Sequence, residues 1–298
     1  MAKINRIIII FLIVLPFAAI GQLINEVERC STVEFNRQLQ SRNPQIANTQ
    51  EFEKWIRNRV RQLKEDPNNQ LLNPQNQQNQ QNRQFGIQTY TIPVIFHVLH
   101  NDEPIGDTPN LNSLYIDAQI EQLNLDFANL SGSAYAQSAD VEIQFCAAKI
   151  DPNGACLAEP GINRISRNSL GLPPPPYTST FFTTSIQPQT QWNPNDYCNV
   201  WVAEFQNLLG IAQLPEASYL EGIHTNNGAA NTDGCIVDFK TVGSISTPFP
   251  SGSNFNLGRT LTHEMGHWLG LRHIWGDGDC GVDDFCTDTP SQLSLIHI

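Results

Sequence analysis

Basic residues are scarce in this chain of 298 residues, which has 17 Lys and Arg against 29 Asp and Glu. The deficit lies after residue 85, where six basic residues face 22 acidic ones. Nucleic-acid binding relies on Lys and Arg to neutralise phosphates. The composition therefore argues against nucleic acid as a partner.

Long apolar runs are also missing after residue 20, whereas a membrane-spanning helix needs about 20 apolar residues. The apolar run at 7–20 follows Lys3 and Arg6 and ends in small residues at 19–21. This pattern is typical of a signal peptide, residues 1–21, with a membrane anchor as the alternative. We expect a secreted, extracellular protein without a stable membrane anchor after signal cleavage.

Residues 22–67 are predicted to form a small helical pro-segment. Residues 22–85 contain nine basic and seven acidic residues, so this part of the chain is slightly basic. Its helix should start near Asn48 or Thr49. Its apolar residues recur at helical spacing: Phe52, Trp55, Ile56 and Leu63. A slightly basic pro-segment is suited to dock on an acidic domain.

A linker follows at residues 68–85, where 13 of the 17 positions from 68 to 84 are Asn or Gln. This composition cannot bury a core, so we expect a flexible tether. Proteolytic nicking near Arg83 would separate the pro-segment from the domain that follows.

Residues 86–298 predict one catalytic domain. The sequence predicts a buried strand at 91–100, a helix at 113–130 with an apolar stripe that ends at Leu130, and a strand at 141–149. This order of strand, helix and strand suggests a right-handed crossover in a mostly parallel sheet. Residues 150–195 are expected to be largely loop. Three short strands should follow, at 199–205, 208–214 and 235–239. The link between the first two is too short for a crossover, which predicts that 208–214 is an antiparallel edge strand beside 199–205.

The strongest motif lies near the end of the chain, where His263 and His267 are four residues apart and share one helix face. Gly270 can take the positive φ that ends a helix, which would bring His273 to the same metal ion. Three histidines leave one tetrahedral position open, as in catalytic zinc sites. Glu264, which follows His263 directly in the sequence, is the candidate general base.

These residues match HExxHxxGxxH, the zinc signature of the metzincin proteases. Further stretches resemble the pappalysin (cytophagalysin) family of that group: DPNG at 151–154, GINR at 161–164, NVWV at 199–202, GIA at 210–212, HIWG at 273–276 and DTP at 288–290. The resemblance implies an α+β, metzincin-type catalytic domain. Its sheet would have five strands, four parallel and one antiparallel at the edge, with a backing helix and a zinc-binding active-site helix. It also implies a zinc endopeptidase made as a latent precursor.

Methionine is nearly absent, with only Met1 and Met265. The resembled family continues into a lower subdomain whose Met-turn forms a floor under the zinc histidines. Neither methionine is placed for that role, so we expect this sequence to be truncated and to lack the lower subdomain, with a minimal protein as the alternative.

Seven cysteines suit an oxidising compartment and leave one unpaired. Cys30 stands alone in the pro-segment, and we expect its thiolate to act as a latency switch on the zinc, with a pairing or unreactive cysteine as the alternative. Cys146 with Cys156 and Cys280 with Cys286 are close in sequence, but the disulfide connectivity stays open.

An acidic, glycine-rich stretch at 275–290 has two interpretations, a calcium site or a solvated loop. Its carboxylates are Asp277, Asp279, Asp283, Asp284 and Asp288. Calcium prefers clustered oxygen ligands, and the resemblance implies calcium in this region.

The sequence therefore predicts a secreted zinc metalloendopeptidase that acts on a protein or peptide substrate, with no indication of its oligomeric state. Two other classes remain open. One is a secreted zinc-binding or adhesion module that has lost catalysis, and the other is a hydrolase of a different substrate that uses the same three histidines.

Overall fold

The computed structural model describes residues 27–65, 89–136, 138–218, 220, 222–223, 230–278, 282–287 and 289. The expected signal peptide and linker lie outside the described residues. Within the described ranges, no helix combines the length and the apolar content that crossing a bilayer requires.

The predicted pro-segment, a name used below for the described residues 27–65, forms two helices, α1 (Thr32–Arg42) and α2 (Thr49–Glu65). Helix α2 begins where the sequence predicts it. The Asn48 side chain accepts a hydrogen bond from the Glu51 N–H (3.0 Å), and the Glu51 carboxylate accepts one from the Asn48 N–H (2.9 Å), which is a capping box. Helix α1 was not predicted, because its buried face alternates polar and apolar residues.

The catalytic part is built around one sheet. Its strands are β1 (Tyr90–His100), β2 (Ile143–Ala147), β3 (Ile162–Ser166), β4 (Cys198–Ala203), β5 (Gly210–Ala212) and β6 (Cys235–Asp238). The order is β2-β1-β4-β6-β5, and β3 pairs with the second half of β1. Strands β2 and β3 thus share one position, which leaves five positions, four parallel and one antiparallel. This arrangement confirms the expected mixed sheet.

Strand β5 is the antiparallel edge strand, but it pairs with β6 and not with β4 as predicted. Neighbouring strands are about 4.8 Å apart, so the short connection from β4 can pass over one strand position. Strand β6 then fills the gap between them. The prediction failed because short connections favour adjacent strands without requiring them.

The catalytic part also contains helical segments. These are α3 (Ser113–Phe127), α4 (Ser179–Phe181), a π-helix (Phe182–Ile186), α5 (Gln187–Thr190), α6 (Arg259–Trp268) and three 3-10 turns (Pro215–Ala217, Ala230–Thr232 and Phe239–Thr241). Helix α3 is shorter than predicted. Leu130, placed on its buried stripe, lies beyond the helix end and is 71% exposed.

The two faces of the sheet carry different cores. Helices α3 and α6 pack on one face, where Leu123 and Met265 are fully buried. The other face is covered by the segment from α4 to α5, which the sequence analysis treated as loop. Phe35 and Leu39 of α1 join Trp201 in that second core. The pro-segment is therefore part of the hydrophobic core on this side.

Among the described residues, Cys146 and Cys156 are not joined in a disulfide. Cys146 and Cys156 carry free thiols, as do Cys198 and Cys235 in the core. Cys280 lies outside the described residues.

Candidate metal centre

Helix α6 ends in a turn that depends on Gly270, whose φ is 105°. The Gly270 N–H donates to the carbonyl of His267 (2.9 Å) and the Leu271 N–H donates to that of Gly266 (2.9 Å). This pair of bonds is a Schellman motif, and it needs a left-handed residue at its centre. The chain reversal expected from Gly270 is confirmed, and it carries His273 back towards the helix.

The three histidines converge at their Nε2 atoms. The separation is 3.1 Å between His263 and His267, and 3.2 Å from His273 to each of them. Zn–N bonds of about 2.0–2.1 Å in a tetrahedron place two ligand nitrogens about 3.3 Å apart. The triangle therefore has the dimensions of one face of a zinc coordination tetrahedron.

The protonation pattern shows what this triangle requires. The Nδ1 of His267 lies 2.8 Å from the Leu271 carbonyl, and that of His273 lies 2.5 Å from Asp277 Oδ1. Both partners only accept hydrogen bonds, so each neutral ring carries its proton on Nδ1. When both rings are neutral, two bare Nε2 lone pairs face each other at 3.2 Å, an arrangement that a shared proton or a bound metal ion would stabilise. The donor set fits a metal ion.

Burial lowers the pKa of His263 to about 4 and that of His267 to about 3, and the neighbouring His273 acts in the same direction. These two rings are therefore neutral at physiological pH. Neutral imidazole is the form that binds metal.

Cys30 joins the three histidines from the pro-segment. Its Sγ and their ligand nitrogens all lie within 4.8 Å of one another. Burial raises the pKa of the thiol, and the nearby Glu264 carboxylate raises it further. A thiol held there would need a cation to become a stable thiolate.

Glu264 is fully buried beside the triangle. Its Oε2 accepts a hydrogen bond from the Thr32 hydroxyl (2.8 Å) and lies 3.7 Å from Cys30 Sγ, whereas Oε1 has no partner among the described residues. Burial raises the pKa of this carboxyl to about 8. The group is thus poised near neutrality, as a general base requires.

Gly210 on β5 gives Glu264 its space. A Cβ at position 210 would lie 2.7 Å from Glu264 Cγ and 2.9 Å from its Oε1. Any larger residue would therefore displace the carboxylate.

The pro-segment lies along the free edge of β5. At its start, the Glu28 N–H donates to the Asn207 carbonyl (2.8 Å), and the Leu209 N–H donates to the Glu28 carbonyl (3.0 Å). The Ser31 N–H donates to the Gly210 carbonyl (3.2 Å). The backbone of the pro-segment therefore binds the first part of this edge.

Side chains of α1 continue this pairing. The Thr32 hydroxyl accepts from the Ala212 N–H (2.8 Å). The Asn36 amide donates to the Ala212 carbonyl (3.0 Å), and its oxygen accepts from the Leu214 N–H (2.9 Å). The side-chain oxygens and amide act as the backbone groups of a paired strand would. The edge that a peptide would need is occupied by the pro-segment.

A cleft of about 510 Å³ opens beside this edge, bordered by His263, His273 and Phe255. The Arg29 guanidinium projects over the Phe255 ring, 5.4 Å from its centroid. The pro-segment therefore also borders the space next to the metal centre.

All five predicted site residues, His263, Glu264, His267, His273 and Cys30, are brought together. The sequence analysis missed several residues that surround them: Thr32, Asn36, Gly210, Trp275 and Asp277. Trp275 stacks on His273 at 4.3 Å between centroids. The available signals were weak: a carboxylate four residues after the third histidine, and a glycine in a strand.

The acidic loop supplies a contact to the metal centre. Asp277, one of its five carboxylates, bonds His273. Among the described residues, the group with metal-ligand geometry consists of Cys30 and the three histidines, and the calcium site stays a prediction. Asp279 and Asp288 lie outside the described residues.

Comparisons with known proteins agree with this geometry. A family model described as "Pregnancy-associated plasma protein-A" matches residues 183–296. An extracellular metalloprotease of Podospora anserina is 47% identical over 62 residues, 21% of this chain and 20% of that protein. Extracellular metalloprotease 1 of Coccidioides posadasii is 44% identical over 68 residues, 23% of this chain and 25% of that protein. The matched stretch thus spans a quarter or less of either relative.

Solved structures match over more of the chain. Mature mirolysin of Tannerella forsythia, in complex with a cleaved peptide, is 33% identical with a TM-score of 0.55, covering 68% of this chain and 72% of that one. A mutant of promirolysin from the same organism is 29% identical with a TM-score of 0.57, covering 88% and 76%.

Sheet topology and these similarities first define the class, a metzincin-type metalloprotease domain. Within that class, the chain belongs to the pappalysin family of metalloproteases.

Proposed function

We propose that this protein is a secreted, zinc-dependent metalloendopeptidase in its latent form. The observation that carries the proposal is the triangle of Nε2 atoms of His263, His267 and His273, which has the dimensions of one face of a zinc coordination tetrahedron. The extracellular relatives support secretion.

His263, His267 and His273 would hold the zinc, with Cys30 as a fourth ligand in the latent form. Zinc, when bound, acts as a Lewis acid that activates water and polarises a peptide carbonyl. Two groups of the protein would orient the zinc ligands. The Leu271 carbonyl fixes the tautomer and orientation of His267, and the Asp277 carboxylate fixes those of His273.

Glu264 would carry the protons of the reaction. Its carboxylate accepts a proton from the attacking water and delivers it to the leaving amine, so no covalent acyl-enzyme is needed. Strand β5 would bind the substrate backbone, because its free edge offers the groups at Gly210, Ala212 and Leu214 that the pro-segment now binds.

Latency would follow from the same contacts. Cys30 lies beside the histidines, where its thiolate would serve as a fourth ligand, Thr32 binds the candidate base, and the segment around them covers the substrate edge. Substrate could bind only when this segment moves off the edge, either after cleavage or by transient release.

The test uses the full-length protein with the substitution Cys30→Ala, so that inhibition by Cys30 does not mask the activity. This variant is the parent protein. The parent with the additional substitution Glu264→Gln should still bind one zinc ion per chain, measured by elemental analysis. Its rate of casein hydrolysis should be about 10²–10⁴-fold lower than that of the parent. Glu121→Gln, on the exposed side of α3, is the control and should change neither.

Two results would contradict the proposal. Hydrolysis by the Glu264 variant at the parent rate would remove Glu264 from the role of base. Zinc binding without peptide turnover, both in the parent and after limited proteolysis of its linker at residues 68–85, would instead identify a binding module.

A further inference from the structure

The loop after α6 orients two of the three candidate metal ligands. Leu271 supplies the carbonyl that bonds His267, and His273 follows two residues later. Between them lies Arg272, which contacts neither imidazole in a hydrogen bond. Because Arg272 lies between Leu271 and His273, the contact that holds its side chain also fixes the loop that orients His267 and His273.

Arg272 pairs with Glu216 through Nη2 and Oε2. The two side chains are 6% and 3% exposed, so this is a buried ion pair. Glu216 lies in the 3-10 turn Pro215–Ala217, directly after the edge strand β5. The pair therefore joins the ligand loop to the strand that packs against Glu264.

A second contact joins the same two segments. A Cβ at position 270 would lie 3.5 Å from Pro215 Cγ, so the glycine turn packs closely on the 3-10 turn. The loop is thus fixed at the turn by packing and at Arg272 by charge. Both partners of the ion pair belong to the catalytic domain, so the link would persist after the pro-segment is removed.

We infer that Arg272 and Glu216 are positioning residues of the metal centre, which set zinc affinity by holding the loop that orients His267 and His273. This inference rests on the proposed zinc function. Both charges are buried, so Glu216→Gln removes the hydrogen-bonded partner of the Arg272 guanidinium, and the loop would then shift towards solvent or towards the neighbouring Glu53 carboxylate.

The test measures the zinc Kd of the full-length chain by competition with a fluorescent chelator. Glu216→Gln should weaken zinc binding by about 10–100-fold, the usual range for residues that support metal ligands. Arg272→Lys keeps the charge but loses the planar guanidinium, so its zinc affinity should fall by less.

Glu159→Gln is the matched control. It removes the partner of Arg164 in another partly buried ion pair, in which Arg164 Nε lies 2.6 Å from Glu159 Oε2. That pair contacts no metal-site residue through its recorded hydrogen bonds. The control should lose thermal stability without losing zinc affinity.

The outcomes separate the two ideas. If the wild-type chain binds no zinc, the proposed function fails. If the wild type binds zinc and both site variants bind it equally tightly, only the positioning role is overturned. Should Glu216→Gln fail to fold, the Arg272→Lys affinity and its cobalt absorption spectrum decide, because a spectrum and an affinity identical to wild type would overturn the inference.

Discussion

The two helices of the pro-segment meet the catalytic domain in different ways. Helix α1 reaches the metal centre with polar groups, since Thr32 bonds both Glu264 and the β5 backbone. Helix α2 packs behind that centre, where the Phe52 ring lies 3.5 Å from a Cβ placed at Gly270. The difference suggests that α1 both blocks the site and packs into the core through Phe35 and Leu39, whereas α2 serves only to anchor the pro-segment.

The largest expected effect tests the anchor. Phe52 is 2% exposed, and Phe→Ala changes at buried sites cost about 3–5 kcal/mol. Phe52→Ala should therefore lower the free energy of unfolding, measured in urea, by about that amount. Casein hydrolysis by the full-length chain should not rise, because Cys30 and Thr32 keep their contacts.

Val60→Ala is the control on the same helix. Val60 is 40% exposed, so its loss should change stability by about 0.5 kcal/mol or less. Activation of the chain by Phe52→Ala to the level of a Cys30 variant would show that α2 also blocks the site, and the distinction between the helices would fail.

The next effect tests the blocking segment. Cys30→Ala removes the candidate fourth ligand, so the unprocessed chain should hydrolyse casein at least about 100-fold faster, equivalent to about 2.7 kcal/mol. Stability should change less than for Phe52→Ala.

Cys156→Ala controls for the loss of a thiol, because Cys156 is free and exposed. It should leave latency intact. A Cys30→Ala chain that stayed latent would show that the edge contacts of Thr32 and Asn36 suffice for inhibition.

The same two helices show what the sequence could predict. Helix α2 was predicted because its capping box and apolar spacing are local patterns. Helix α1 was missed because Thr32 and Asn36 are buried by contacts with β5, about 180 positions away in sequence. Polar residues at a buried face resemble a surface until the distant partner is known.

The metal centre divides in the same manner. The convergence of His263, His267 and His273 could be predicted, since helix spacing and one glycine determine it. The neighbour of β5 could not be predicted, because connection length allows either β4 or β6. The contact of Asp277 with His273 could not be predicted, because a carboxylate in an acidic loop does not reveal which imidazole it will bond.

The smallest expected effect concerns a single hydroxyl of α1. Thr32→Val keeps the shape of the side chain but removes the donor to Glu264 and the acceptor for the Ala212 N–H. The Thr32 hydroxyl makes two hydrogen bonds, each worth about 0.5–1.5 kcal/mol, so residual casein hydrolysis by the otherwise latent chain should rise roughly tenfold. Thr241→Val is the matched control, because Thr241 is also buried and donates to the Asp238 carbonyl (2.8 Å) away from the site. Both variants should lose similar stability, but only the Thr32 variant should gain activity. Equal activities in the two variants would mean that Thr32 supports the fold of α1 without restraining the base.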